Sequence, residues 1–476
     1  MQNLRAVMAL VALAALGLVV GCATNPVTGK HQLSLVSSSQ ELAIGQEGYG
    51  AVLAEYGQYD DKQLAAFVDS VGKKLAAVSH LPKLELHFTL LDDPTVNAFA
   101  MPGGYIYITR GIMAHLNSEA QLAGVLGHEI GHVTARHTAN RMTQQQLAGL
   151  GVGIASVISP TFQRYSGMAQ QALGLMFLKY SRDDETQADQ LGVEYATKAG
   201  YDPREIPETY VMLRRVGEAG GQRMPAFMST HPDPGDREVR THDLAAAAAA
   251  GKTGLIIHNR DYVRRLDGMV FGNDPRQGWF EGTKFTQPEL GFEITFPTGW
   301  QTQNTRAAVM AANKDQSGVM QMTIADAKNM TPEQYVAAVA QGQRIASPQG
   351  QSETIGGYSA WVGRAGLVQQ DGSVAPITIG LLRKTADTPM FQILGQSASG
   401  DDRDIVASIR SFRPSTAKRA PERVKVVTVP KTEPFSAAAT AFGPLAIDIA
   451  PLSIMNIVEP DEPVAQGTLI KIVPKP

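Results

Sequence analysis

Apolar and polar positions alternate with two different periods along this chain. From Ser118 to Gln146 the period is helical: Leu122, Val125, Leu126 and Ile130 share a face, Ser118 suits an N-cap, and Gln121 follows three residues on. One helix is expected over that run. Tyr105-Ile-Tyr-Ile-Thr109 alternates after the turn-forming Pro102-Gly103-Gly104 and predicts a strand, with Asn97, Ala98, Phe99 and Ala100 as an edge strand before it. Glu185 and Asp189 stand four apart at the start of a helix running to Gly200, which puts both carboxylates on one face. Between these elements lies Leu147 to Phe177, rich in Ala, Gly, Leu, Met and Ile. Its most apolar stretch ends at Pro160, too short to span a bilayer, and a lid over a cleft is expected there.

The pattern changes after the helix end at Leu244 to Ala250 and Gly251. Strands are expected over 292–296, 319–324, 358–362, 377–382 and 390–394. Helices are expected from Thr331, where N-cap, proline and glutamine follow in order, and over 401–411. Strands with helices on one face suggest a separate α+β domain. After a polar, Pro-bearing stretch, Val424 to Val429 and Gly467 to Val473 read as two strands flanking helix-capable sequence.

The amino terminus has an apolar run from Ala6 to Val20, long enough for a secretory signal and short of a bilayer span. It ends at Cys22, the only cysteine, after Val19-Val20-Gly21, which resembles a bacterial lipobox. That resemblance implies cleavage before Cys22 and an acylated cysteine whose chains hold the protein on a membrane. Ala23, where inner-membrane retention would favour Asp, points to the outer membrane. Composition adds exclusions. With 42 Lys+Arg against 45 Asp+Glu the net charge is -3, which offers no basic face for nucleic acid. A single cysteine forbids an intrachain disulfide or a cysteine-based metal cluster.

The candidate chemistry lies in His128-Glu129-Ile130-Gly131-His132. On a helix His128 and His132 are one turn apart, so both imidazoles reach one ion, and Glu129 is near enough to handle a proton without being a ligand. Such a nitrogen pair with an open position suits catalytic zinc. A third ligand is needed. His137 fails as a metzincin-type ligand, because the required spacing falls on Thr138 and the required glycine on Ala135. Of Glu185 and Asp189, one carboxylate can bind metal while the other takes the free N–H of a ligating histidine. Acidic residues at a helix start also serve the helix dipole, the plainer reading of that pair.

Together, Asn25-Pro-Val-Thr-Gly29, Asn97 to Gly104, His128 to His132, Glu185 to Asp189, and Ser229-Thr-His-Pro232 followed by Arg237 resemble one zinc metalloprotease family. It is the family of the CAAX prenyl protease, the mitochondrial Oma protease and the BepA-type periplasmic proteases. The resemblance covers residues 25 to about 245, in the family's order. It implies a mainly helical gluzincin-type domain with a small sheet and one zinc ion per chain. His128, His132 and Glu185 would be the ligands, Glu129 the general base and acid, and Asp189 their support. In BepA-type relatives the histidine of the His-Pro motif can take zinc's fourth position and hold the enzyme inactive, a role that falls here on His231. His231 and Arg237 are also the candidate oxyanion donors, although Arg237 equally suits a carboxylate clamp. Proteases of this kind add extended substrate to an edge strand, which points to Asn97–Ala100.

The expected architecture is multidomain α+β: a signal peptide at 1–21, a protease domain at 22–250, a linker at 251–284, an α+β domain at 285–413, a linker at 414–422 and a module at 423–476. Leu290 to Trp300 resembles the start of PsbP-like or Mog-like domains. The last module resembles a degenerate LysM, with Ile454-Met-Asn-Ile-Val458 lacking the usual glycine, which puts peptidoglycan binding in doubt. The function expected is zinc-dependent endopeptidase action on misfolded or unassembled envelope proteins, from a lipid anchor in the bacterial periplasm. The competing expectation is a chaperone or assembly factor that uses the zinc fold as a scaffold.

Overall fold

The computed structural model describes residues 22–149, 174–175, 179–220, 226–232, 234–369 and 373–476. Two compact units result: one holds the chain to Gly272 together with Glu422–Pro476, the other is Asn273–Pro421. The expected signal peptide and most of the expected lid lie outside the described residues. Among the described residues no helix is long and apolar enough to cross a membrane.

The first unit begins with a two-stranded ribbon, β1 (Cys22–Thr24) against β2 (His31–Leu33), in which Cys22 faces Leu33. Helix α1 (Ser38–Tyr56) starts from a capping box made by Ser37 and Gln40, and α2 (Lys62–Ala77) from an Asp61 cap. A three-stranded sheet follows in the order β3 (His87–Leu91), β5 (Tyr105–Thr109), β4 (Ala98–Met101), with β3 parallel and β4 antiparallel to β5. The Tyr/Ile alternation of β5 does mark two faces, but both are covered. Tyr105 and Tyr107 pack with Ile44 and Val52 of α1, while Ile106 and Ile108 join the main core with Leu64 and Val68 of α2.

Helices α3 (Arg110–His115), α4 (Glu119–Thr134), α5 (His137–Gly149), α6 (Arg182–Lys198), α7 (Ile206–Ala219), α8 (Ala226–Thr230), α9 (Pro234–Ala249) and α10 (Asn259–Arg265) build the rest. The single helix expected over 118–146 is broken. Arg136 adopts a positive φ of 59°, with its guanidinium paired to Glu41 and bonded to the Val36 carbonyl, so α4 ends and α5 starts afresh. Asn25 closes the same end: its Nδ2 donates to the Ala135 carbonyl at 3.2 Å, while its Oδ1 accepts from the backbone of Val27 and Thr28.

The unit boundaries differ from the expected ones. Tyr262, Val263, Leu266, Met269 and Val270, expected in a linker, are buried in the core of the first unit. That core also takes in Val424, Val427, Leu452, Met455, Ile470 and Ile472 of the carboxyl-terminal segment. The segment runs strand, helix, helix, strand: β6 (Lys425–Thr428), α11 (Phe435–Thr440), α12 (Ile449–Asn456) and β7 (Leu469–Ile472), with β6 antiparallel to β7. Its apolar positions are satisfied by the core of the first unit, so it is no free-standing module.

The second unit holds a seven-stranded antiparallel sheet in the order Ile345–Ile355, Tyr358–Val368, Val374–Arg383, Met390–Ser397, Gly318–Ala325, Val309–Ala312, Gln301–Asn304, and a four-stranded antiparallel one in the order Arg413–Pro414, Phe292–Thr295, Lys284–Gln287, Trp279–Glu281. Its helices are Pro332–Gln341 and Arg403–Arg410. They lie on opposite faces and not on one: Leu381 clusters with Val336 of the first, and its neighbour Leu382 with Ile405 and Ile409 of the second.

Candidate metal centre

The site is set by how closely α4 and α6 approach. A Cβ on Gly127 would stand 3.1 Å from the Gly192 carbonyl oxygen, and one on Gly192 3.1 Å from the His128 nitrogen. Only glycine lets the two backbones meet at that distance. The contact carries His128 and His132 of α4 up to Glu185 in the first turn of α6.

Four ligand-type atoms converge there. His128 Nε2 lies 3.0 Å from His132 Nε2 and 3.3 Å from His231 Nδ1. Glu185 Oε1 lies 2.9 Å from His231 Nδ1 and 3.5 Å from His132 Nε2. All four residues are buried, and their donor atoms fall within 4.8 Å of one another. Three imidazole nitrogens and one carboxylate oxygen at tetrahedral number are a zinc-type donor set. Glu129 is fully buried beside them and, among the described residues, neither of its oxygens has a hydrogen-bond partner; its Oε1 is 3.7 Å from His231 Nε2, likewise without one among them. Orphaned buried polar atoms around converging donors are what a site for an ion and a reacting group requires. The residues fit zinc.

Around the donors runs a polar frame. His128 Nδ1 lies 3.1 Å from the Asp189 Oδ1 acceptor, which puts its hydrogen on Nδ1 and the lone pair on Nε2, where Arg237 Nη2 also approaches to 3.3 Å. Asp189 also accepts from Arg237 Nη2 at 2.6 Å, Tyr210 OH at 2.7 Å and Arg240 Nη2 at 2.8 Å. Arg237 Nη1 pairs with Glu185 Oε2 at 2.5 Å, so one guanidinium bridges both carboxylates. Tyr180 stacks on His132 with ring centroids 3.9 Å apart, and Phe227 on His231 at 4.4 Å.

The charges follow from this packing. Burial pushes the Glu129 carboxyl up, against the pull of His231 and His128. Burial acts to raise Glu185 as well, but Arg237 and His231 outweigh it and hold it below the usual carboxylate range. Asp189 is held far below that range, Arg237 again overcoming burial. Burial keeps His132 well below the ordinary imidazole value, and the neighbouring histidines add to it. His231 is raised: Glu185 and Glu129 overcome the cost of its burial. The site therefore presents a neutral nitrogen at His132, an ionised carboxylate at Glu185, and at Glu129 a carboxyl poised to hold a proton.

Seven of the residues expected from sequence meet here: His128, Glu129, His132, Glu185, Asp189, His231 and Arg237. Arg237 faces the two carboxylates, the clamp arrangement of the two expected for it. Asn97–Ala100 falls on the edge of the three-stranded sheet, where the Asn97 backbone N–H donates to Thr109 Oγ1 at 3.2 Å and its Oδ1 is buried without a partner among the described residues. Cys22 lies in the amino-terminal ribbon, away from these side chains in sequence. Tyr180, Tyr210, Phe227 and Arg240 escaped sequence reading. Tyr180 and Phe227 flank expected motifs, but Tyr210 carries no spacing signal at all.

A buried centre of two histidines from α4 and a carboxylate from α6, with a glutamate beside it, defines a metallopeptidase class. In agreement, residues 62–242 match the model of "Peptidase family M48", a family of zinc metalloproteases. The chain is 33% identical over 199 residues to "Mitochondrial metalloendopeptidase OMA1" of Arabidopsis thaliana, covering 42% of this chain and 39% of the relative. It is 31% identical over 222 residues to "Putative beta-barrel assembly-enhancing protease" of Vibrio cholerae, covering 44% and 45%. To "Beta-barrel assembly-enhancing protease" of Escherichia coli it is 28% identical over 226 residues, covering 45% of each. The chain thus spans less than half the length of these relatives.

Proposed function

We propose that the chain is a zinc-dependent endopeptidase that hydrolyses peptide bonds of misfolded or unassembled cell-envelope proteins. The observation that carries this is the convergence of His128, His132 and Glu185 beside a buried Glu129 whose two oxygens have no partner among the described residues. Bound zinc supplies a Lewis acid that polarises a carbonyl and acidifies water. The rest is the work of this chain's side chains. Glu129, with its affinity for a proton raised by burial, takes the proton of the attacking water at a free carboxylate oxygen and returns it to the leaving amine. Arg237 and Asp189 keep Glu185 ionised and His128 oriented. The edge strand at Asn97–Ala100 takes extended substrate by main-chain pairing.

His231 is proposed as the fourth ligand, a switch that leaves before water and substrate enter; the position of its Nδ1, 2.9 Å from Glu185 Oε1 and 3.3 Å from His128 Nε2, supports that reading. Acylation of Cys22 would hold the enzyme on the periplasmic face of the outer membrane. The similarity to beta-barrel assembly-enhancing proteases supports envelope proteins as the substrate class.

The test is cleavage of unfolded casein by the zinc-loaded mature chain beside Glu129→Gln and His231→Ala. Cleavage by wild type that Glu129→Gln loses, and that His231→Ala increases, is expected. Zinc binding without cleavage in wild type and His231→Ala would favour the scaffold reading instead.

A further inference from the structure

The break between α4 and α5 has a consequence at the metal centre. The positive φ of Arg136 turns the chain so that His137, the first residue of α5, folds back onto α4. Its ring is 2% exposed. Its Nδ1 lies 2.9 Å from Nδ1 of His132, and its Nε2 lies 3.0 Å from Oε1 of Gln187 on α6. The Asp184 carboxylate stands further off on the same side, with Oδ1 3.8 Å from that Nε2.

With both rings neutral, one arrangement of protons satisfies these contacts. An amide oxygen accepts and never donates, and so does a carboxylate, so His137 carries its hydrogen on Nε2. A neutral ring protonated there presents a lone pair at Nδ1. The facing Nδ1 of His132 must then donate, which leaves His132 with its lone pair on Nε2. That is the nitrogen lying 3.0 Å from His128 Nε2 and 3.5 Å from Glu185 Oε1. His128 has its tautomer set by Asp189, a charge; His132 has a neutral imidazole in the corresponding place.

We propose that His137, oriented by Gln187, is a positioning residue that sets the tautomer of His132 and so readies its Nε2 for zinc. This rests on the zinc-peptidase reading above. His137 is not a ligand, in keeping with the failure of the metzincin spacing; it acts through the ligand. The opposite tautomer of His132 would place a hydrogen on the coordinating nitrogen and leave two lone pairs facing each other across 2.9 Å.

The experiment measures zinc affinity of the mature chain by competition with a fluorescent chelator. Its variants are His137→Leu, His137→Asn, Gln187→Leu and Glu185→Ala, with thermal unfolding of each zinc-free protein. Loss of a histidine's outer partner typically costs about 10–100-fold in metal affinity. His137→Leu is expected to fall in that range, His137→Asn to recover most of it because its amide oxygen again accepts from His132, and Gln187→Leu to lose less than His137→Leu. A merely structural role would not distinguish asparagine from leucine in zinc affinity. Should His137→Leu not fold, the Gln187→Leu and His137→Asn pair carries the same comparison. The proposal is overturned if His137→Leu binds zinc within twofold of wild type while Glu185→Ala has lost it, or if asparagine is no better than leucine. Wild type and Glu185→Ala alike binding no zinc would overturn the metal-centre reading first, and this inference with it.

Discussion

Lys471, in the last strand of the chain, donates a buried hydrogen bond to the carbonyl of Leu116, 355 positions earlier, at 2.8 Å. A second bond reaches the Ala114 carbonyl at 2.7 Å. These are carbonyls at the carboxyl end of α3, which have no partner within the helix. The amino group is completely buried, and burial holds its pKa well below the usual lysine value. Lys471→Met keeps the stem and leaves both carbonyls bare. Each unsatisfied buried acceptor costs about 1–3 kcal/mol, partly offset because no amine then needs burying. A net loss of about 1–3 kcal/mol is expected, read as a lower urea midpoint. A midpoint equal to wild type would show that the capping contributes nothing.

The same interface bears on deletion of residues 422–476. Val424, Val427, Ile470, Ile472 and Val473 belong to the core that holds Ile112 and Met113. Asn117 bonds the Met455 carbonyl and Arg215 the Val458 carbonyl across the same surface. Removing the segment would open that core to water, so the truncated chain is expected to be insoluble or to lose cooperative unfolding. A separable binding module would instead leave a folded protease that still cleaves casein.

How far the sequence could be read depended on whether a signal was local. Helical spacing brought His128, Glu129 and His132 together and put Glu185 and Asp189 on one face, whereas which carboxylate joins the donors, and the place of His231 among them, came only from the resemblance. The capping box at Thr331 formed as expected, with Gln334 in place. Strand Ile345–Ile355 went unread because most of its residues face solvent, Pro348 and Gly350 break its pattern, and it is a sheet edge. His137 was legible only as a failed ligand, since its place depends on the kink at Arg136 and that kink on Glu41, 95 positions earlier. For the carboxyl-terminal segment, alternation told which face is buried but not what buries it. A lysine among Leu469, Ile470 and Ile472 reads as solvated, and here it is inside.

The glycine contact between α4 and α6 yields a prediction about metal geometry. Gly127→Ala would place its methyl 3.1 Å from the Gly192 oxygen, a backbone atom that yields only if the helices part. Overpacking of this kind costs about 1–3 kcal/mol. Because Glu185 rides on α6, the separation should also weaken zinc binding. Chelator competition and urea unfolding on the same variant check both effects. Unchanged zinc affinity would mean that the ligand spacing does not depend on this contact.

His115 supplies a pH dependence away from the metal. It ends α3, its Nδ1–H donates to the Gly111 carbonyl at 2.7 Å, and burial pushes its pKa down to about 4, with nearby Lys471 contributing. Above pH 6.5 the ring is neutral in folded and unfolded chains alike and pH changes nothing through it. Below pH 6.5 the unfolded chain takes up a proton that the folded one refuses until about pH 4. Stability is thus full above the unfolded pKa and is lost as pH falls towards the folded one, by about 3 kcal/mol. Urea midpoints of wild type and His115→Gln between pH 7.5 and pH 4 measure it (both pH limits about one unit or less beyond the window). The wild type should lose more stability than the variant across that interval, and parallel profiles would show that His115 does not carry the effect.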